Sequence, residues 1–387
     1  MSAITSNLYD DSLRMLWVSK LVYSFASLLK EGRAGNLDLG DTFPPEVLAL
    51  YKDERLDVRG LEGDNGLSFN TIVKILQANA GHLHETFGDA EYVADIIEKI
   101  QAIEDADDSS ESLHLETFAS IDAATQCVYG VVKDSAKKRI TIAFRGSTDF
   151  STRDWQTNFN AYMEDMRTPK LLRDKLEGSL KEDILVHRGF YSYIFDNKLA
   201  DGDQRYDMIL NDIKSFAEQG YKIYVTGHSL GAALSSLLAF KLAGSGKDWI
   251  PKPITCISYA SPFVGSSDFR TAFIELEKMG LIRYLRVNND KDFVPTVPPF
   301  SLGCRKRLMK HVGINLRLKD NSFTLTHPST IGCGFMNALK YSIFKPVCCL
   351  LKYHGLPLHE KRMDKHKEVF QKMTLDDLYA DEKLFSG

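Results

Sequence analysis

The chain has 387 residues, of which 44% are hydrophobic, 26% charged and 11% aromatic. That is apolar side chain enough for one large core or two modest ones, and it excludes both a disordered chain and a disulfide-stapled miniprotein. Forty-eight Lys and Arg stand against 52 Asp and Glu, a formal charge of −4 with neither sign gathered into a stripe, so no nucleic-acid partner is expected.

The six cysteines, Cys127, Cys256, Cys304, Cys333, Cys348 and Cys349, contain no CxxC pair and no zinc-type or disulfide-type spacing. They suit a reducing compartment. Residues 13–29 are the most apolar early stretch, but Arg14 and Lys20 interrupt them and the acidic pair Asp10 and Asp11 precedes them. Neither a signal peptide nor a spanning helix is expected there. No Asn opens an N-x-Ser/Thr sequon. The expectation is a cytoplasmic protein with peripheral contact to a membrane or lipid-droplet surface; the sequence carries no signal of oligomeric state.

In chain order, residues 1 to about 100 read as helical. Leu13, Leu16, Trp17, Lys20, Leu21, Ser24, Phe25 and Leu28 recur at helical spacing, and residues 90–103 repeat the pattern with Val93, Ile96, Ile97 and Ile100. Such faces pack against a neighbouring domain or rest on a membrane surface. His82 and His84 lie two apart, point in different directions on a helix, and read as ordinary surface residues. Residues 104–112, EDADDSSES, have no apolar anchor and read as a joint. The chain therefore divides into a helical N-terminal extension, 1–110, and a second unit, 111–387.

Beyond the joint, 125–132 and 139–144 are short β-rich runs around the polar turn 133–138, which predicts a hairpin. Strand-like runs at 184–186, 222–226, 255–259 and 282–287 then alternate with helical runs at 205–218, 230–243 and 267–278. That alternation predicts an α/β fold with a largely parallel, covered sheet. No internal repeat is present.

The run YKIYVTGHSLGAALSSLLAF sets Gly227-His228-Ser229-Leu230-Gly231 between a strand and an Ala/Leu-rich helix. A bare GxSxG arises by chance in roughly one chain in ten of this length. Its place carries the weight, because a sharp strand-to-helix turn needs small residues on both sides to hold a serine hydroxyl outward. Such a serine requires a base and an orienting acid, in the chain order Ser, Asp or Glu, His. Asp290 and Asp292 follow the strand 282–287 and both remain open on position alone. Downstream histidines are His311, His327, His354, His359 and His366. His311 sits in an alternating, strand-like run, whereas His354 precedes Gly355 and Pro357 on a loop, where such a base is expected.

These residues resemble the class 3 lipase family of α/β-hydrolases over about 113–365. Phe144-Arg145-Gly146-Ser147 followed by Asp154, Trp155 and Asn158, then His187-Arg188-Gly189-Phe190, the GHSLG turn, Tyr259-Ala260-Ser261-Pro262 and Asp292-Phe293-Val294-Pro295 stand in that family's order. The resemblance implies an α/β-hydrolase with a mostly parallel central sheet flanked by helices, plus the helical N-terminal extension. It selects Asp292 over Asp290 and favours His354, with His311 and His359 in reserve; His359 departs from the pattern, standing where a tyrosine is common.

For the negative oxygen of an acyl-transfer intermediate, the resemblance implies the amides of Leu230 and Ser147 as donors, each worth about 3 kcal/mol. By the same analogy residues 148–166 would form a lid. The apolar run 331–351 would line an acyl groove or rest on a membrane, with Cys348 and Cys349 open to S-acylation. The implied function is a serine carboxylesterase hydrolysing acylglycerols, as a triacylglycerol or diacylglycerol lipase, through Ser229, His354 and Asp292. A phospholipase A1, a galactolipid acylhydrolase and a lipase-like signalling scaffold without turnover are the alternatives. The substrate is a lipid ester, and no metal or organic cofactor is implied.

Overall fold

The computed structural model describes residues 6–36, 43, 45–50, 53, 55–87, 94–95, 97–98, 113–120, 127–147, 162–176, 184–195, 205–301, 308–327 and 352–385. Twelve strands are described: β1 (Arg55–Asp57), β2 (Leu67–Ser68), β3 (Leu113–Ser120), β4 (Val128–Asp134), β5 (Arg139–Phe144), β6 (Met163–Met166), β7 (Ile184–His187), β8 (Lys222–His228), β9 (Ile254–Tyr259), β10 (Ile282–Asn289), β11 (Ile314–Leu318) and β12 (Phe323–Thr326). Ten form one sheet in the order β1-β3-β4-β5-β8-β9-β10-β11-β12, with β2 also on β3. β5, β8, β9, β10 and β11 run parallel, and antiparallel strands extend both margins. The sheet is thus parallel at its centre and mixed as a whole.

Helix α1 spans Leu8–Arg33 and α2 spans Phe69–Ala78. The crossovers joining the parallel strands carry α3 (Arg205–Glu218), α4 (Leu230–Ala243) and α5 (Ser267–Lys278), all with the bounds expected from the periodicity. After the sheet comes α6 (Leu356–Asp364). Strand alternation sorts the two faces. Ile140, Ile142, Phe144, Ile223 and Val225 enter the core with α3, α4 and α5, whereas Ala143, Tyr224, Ile257 and Val287 face the cores that α1 completes. α4 is buried almost all round; Ser235 and Ser236 satisfy their hydroxyls on carbonyls four residues back, at 2.7 and 3.0 Å.

α1 starts on Asn7, whose side chain accepts from the Asp10 amide at 2.9 Å. Its expected single apolar face is instead a buried surface on nearly every side, because the helix lies between the sheet and the later helices. Its charges survive burial by pairing. Arg14 meets Asp134 at 2.8 Å, Asp11 meets Arg139 at 2.6 Å, and Lys20 meets Glu360 at 2.6 Å. Among the described residues no helix is long and apolar enough to cross a membrane.

Other expectations change. The first hundred residues are not all helical: β1 and β2 both pair with β3, a strand the joint-then-hairpin reading passed over. The predicted 125–144 hairpin is β4 and β5. The run at 184–186 is a strand, β7, but it pairs antiparallel with β6 in a separate two-stranded sheet. Four residues suffice for a strand signal but do not say which partner is met. His311 precedes β11 instead of lying in it. The joint at 104–112, the run 331–351 and Cys348 and Cys349 lie outside the described residues, as do most of 90–103 and all of the lid segment before Tyr162. The end of that segment is the strand β6.

Candidate active site

β8 feeds α4 through a single residue, Ser229, whose backbone takes φ 58° and ψ −123°. A positive φ costs a non-glycine residue on the order of 1–3 kcal/mol and persists only where neighbours enforce it. Here the Ser229 amide donates to the Tyr259 carbonyl at 3.0 Å, and the Ser229 carbonyl accepts from Ala232 at 3.0 Å. The flanking glycines permit close approach. A Cβ on Gly227 would stand 2.9 Å from the Phe144 carbonyl oxygen, and one on Gly231 would stand 2.9 and 3.0 Å from the carbonyl carbons of Phe144 and Arg145. Both glycines therefore let the turn press against the end of β5.

That end continues into Arg145, Gly146 and Ser147, the loop expected to hold a developing oxyanion. The Arg145 amide donates to Val128 at 2.9 Å, extending the β4 pairing by one step. Leu230 is the first residue of α4, so its N–H has no carbonyl four residues back within the helix and faces out of its N-terminus. Ser147, half-buried, ends this described stretch.

The acid and base arrive from later loops. Beyond β10 the chain turns through Lys291, at φ 69°, and the Asp292 carboxylate accepts from the Val294 amide at 3.0 Å. His354, in the turn before α6, places Nδ1 at 3.0 and 3.2 Å from the two Asp292 oxygens. Both side chains are buried, at 3% and 0% exposure. Asp290 does something else: it pairs with Arg317 at 2.5 Å on the rim. The structure therefore brings His354 to Asp292 and to no other acid among the candidates.

The reserve histidines are held elsewhere. His311 stacks on Phe263 at 3.9 Å with Nε2 2.7 Å from the Pro295 carbonyl, and burial, followed by Arg286, pushes it well below 6.5. His359 lies on α6, its Nδ1 3.0 Å from Asn289 Nδ2 and 3.1 Å from the Gly355 carbonyl, and burial lowers it to about 4. His187, from the second matching block, stacks on Phe190 at 4.0 Å, and burial likewise lowers it to about 4. His82 is exposed.

Several supporting groups carried no sequence signal. His228, inside the GHSLG turn, presents Nε2 to the His354 carbonyl at 2.8 Å, so Nε2 must carry the proton. Its Nδ1 then accepts from the Tyr23 hydroxyl at 3.2 Å. Burial first, then His354 and His359, push His228 well below 6.5, which keeps the ring neutral. Asn289 Nδ2 donates to the Tyr353 carbonyl at 3.0 Å, and Arg362 reaches Asn289 Oδ1 at 3.3 Å and the Asp290 carbonyl at 3.4 Å. The loops bearing Asp292 and His354 are thus tied to each other. Among the described residues no group of three or more His, Cys, Asp or Glu could hold a metal ion.

A serine at a strained turn between a parallel strand and a helix, with an Asp–His pair supplied by loops later in the chain, is the arrangement by which serine hydrolases are recognised. Residues 141–302 match the family described as Lipase (class 3). It is 34% identical over 179 residues to phospholipase A1-II 6 of Oryza sativa subsp. japonica, covering 42% of this chain and 41% of that one. It is 34% identical over 187 residues to the putative lipase LIH1 of Saccharomyces cerevisiae, covering 43% and 53%. The chain thus matches about half or less of each of these relatives. The triacylglyceride lipase of Rhizomucor miehei is 23% identical, with a TM-score of 0.46 over 65% of this chain and 85% of that one.

Proposed function

We propose that this protein is a carboxylic ester hydrolase acting on acylglycerol ester bonds through an acyl-enzyme. The observation that carries the reading is the buried His354–Asp292 contact, at 3.0 and 3.2 Å, tied through the His354 carbonyl to the residue before Ser229. In this reading Ser229 Oγ attacks the ester carbonyl carbon while His354 Nε2 takes its proton. The carbonyl oxygen becomes an oxyanion that accepts from the amides of Leu230 and Ser147. Collapse breaks the carbon–oxygen ester bond, and the alcohol leaves with the proton from His354. Water then attacks the acyl-enzyme, giving its proton to His354, and the fatty acid departs as Ser229 recovers its hydrogen. Asp292 holds the imidazole in the tautomer this cycle needs.

A second reading, a phospholipase A1, is favoured by the names of several relatives, of which phospholipase A1-II 6 is one. The two share every group named above and differ in the head group accepted. The substrate in either case is a lipid ester, met in our reading at a membrane or lipid-droplet surface from the cytoplasmic side.

Purified protein assayed on tri-, di- and monoacylglycerol and on phospholipid decides between the readings, and Ser229→Ala is expected to abolish turnover with the fold intact. A fluorophosphonate probe should label the wild type at Ser229. Absence of labelling with detergent present, together with no turnover on any of these esters, would overturn the hydrolase reading in favour of a scaffold.

A further inference from the structure

Tyr23 belongs to α1, far from every matching block, yet its hydroxyl meets the site at two points. It lies 3.2 Å from His228 Nδ1. It also closes on Gly146: a Cβ built there would collide with the Tyr23 hydroxyl and stand 2.6 Å from the His228 carbonyl oxygen and 3.2 Å from Ser229 Cβ. One hydroxyl therefore touches both the oxyanion loop and the serine turn.

The chain of contacts continues toward the base. With Nδ1 accepting from Tyr23, His228 has its proton on Nε2, where the His354 carbonyl accepts it at 2.8 Å; the two rings are 4.4 Å apart. α1 is itself fixed in the turn and a half before Tyr23, toward the sheet and toward α6. Ser19 Oγ is 3.3 Å from Thr226 Oγ1 on β8, and Lys20 and Trp17 reach the Glu360 carboxylate on α6 at 2.6 and 3.1 Å.

We infer that Tyr23 is a positioning residue for His354. From α1 it anchors the His228 ring through Nδ1, and His228 holds the His354 backbone so that the imidazole keeps its register on Asp292 beside the Ser229 turn. The inference rests on the hydrolase reading above. Without the hydroxyl, His228 Nδ1 loses its donor, and the ring is free to tilt and carry its Nε2–H off the His354 carbonyl. The effect falls on proton transfer and leaves the substrate pocket alone.

The test uses the full chain and a fluorophosphonate probe under saturation kinetics, which separates binding (KI) from serine phosphonylation (kinact). Tyr23→Phe should lower kinact about 5- to 10-fold, the rate equivalent of one hydrogen bond, with KI unchanged. His228→Leu should do at least as much, and His228→Gln, whose amide N–H can still meet the His354 carbonyl, should recover part of the loss. Because Tyr23 acts through His228, Tyr23→Phe added to His228→Leu should slow labelling no further. A wild-type kinact for Tyr23→Phe, or losses that multiply in the double variant, would overturn the inference.

If Tyr23→Phe does not fold, the comparison of His228→Gln with His228→Leu decides, and equal losses count against it. A wild type that fails to label sinks the hydrolase reading instead. The positioning claim is then read from the NMR signal of the His354 Nδ1 proton, which must broaden or shift in His228→Leu and recover in His228→Gln.

Discussion

Lys20 and Glu360, 340 positions apart, meet at 2.6 Å with both side chains buried, so the first helix is clasped to the helix that follows His354. Trp17 donates to the other Glu360 oxygen at 3.1 Å, and Tyr9 reaches Asp364 on the same helix at 2.6 Å. This contact lets residues near the start of the chain govern a loop near its end.

Breaking a buried pair on one side leaves an uncompensated charge. Glu360→Ala is expected to destabilise the protein by about 3 kcal/mol, since the remaining partner of Lys20, Asp95 at 2.9 Å, is 35% exposed and a weaker counter-charge. The double variant Lys20→Met with Glu360→Leu should recover most of that loss. Urea unfolding measures both, and a double variant as unstable as the single one would contradict the pairing argument.

The two aspartates after β10 should separate cleanly. Asp292→Asn removes the acceptor that holds the His354 tautomer and is expected to lower kcat about 10⁴-fold with little change in melting temperature. Asp290→Asn only weakens a rim pair with Arg317, worth at most about 1 kcal/mol, and should leave kcat within about twofold. Ester hydrolysis by the two variants side by side checks the assignment; equal losses would mean that the acid has been misread.

Close packing around the turn makes its glycines intolerant. Gly231→Ala drives a methyl into the Phe144 carbonyl and is expected to cost about 1–3 kcal/mol and most of the activity. Gly81, in the helix Ala80–Phe87, has nothing within 4 Å of an added Cβ. Gly81→Ala should therefore stabilise by about 0.5–1 kcal/mol. Thermal melts of the two variants must move in opposite directions.

Acid should unfold this protein through its buried histidines. Burial lowers His187 and His359 to about 4 and pushes His228 and His311 well below 6.5. In the unfolded chain each binds a proton near pH 6.5 while the native ring remains neutral, so the unfolded state carries more protons and stability rises with pH. As pH falls from about 6.5 to 4, each histidine withdraws up to about 1.4 kcal/mol per pH unit. For His187 and His359 the loss levels off below about 4. Melting temperatures at pH 7.5, 6 and 5 should drop in that order, and an unchanged melting temperature from 7.5 to 5 would refute the burial of neutral imidazole.

Local pattern alone determined the crossover helices 205–218, 230–243 and 267–278, the hairpin of β4 and β5, and the serine turn, because each depends on side chains within a few positions of one another. The loop placement of His354 was legible from its neighbours Gly355 and Pro357, whereas Asp290 and Asp292 stood level on position alone. Tertiary structure decided the rest. Which aspartate meets His354 depends on where Lys291 turns the chain, and that β7 leaves the main sheet depends on a partner strand whose four residues carry no distinctive signal. The roles of Tyr23, Lys20, His228 and Arg362 come from contacts across tens to hundreds of positions. A buried charge or hydroxyl shows its purpose only once its partner is beside it, and no local spacing encodes that meeting.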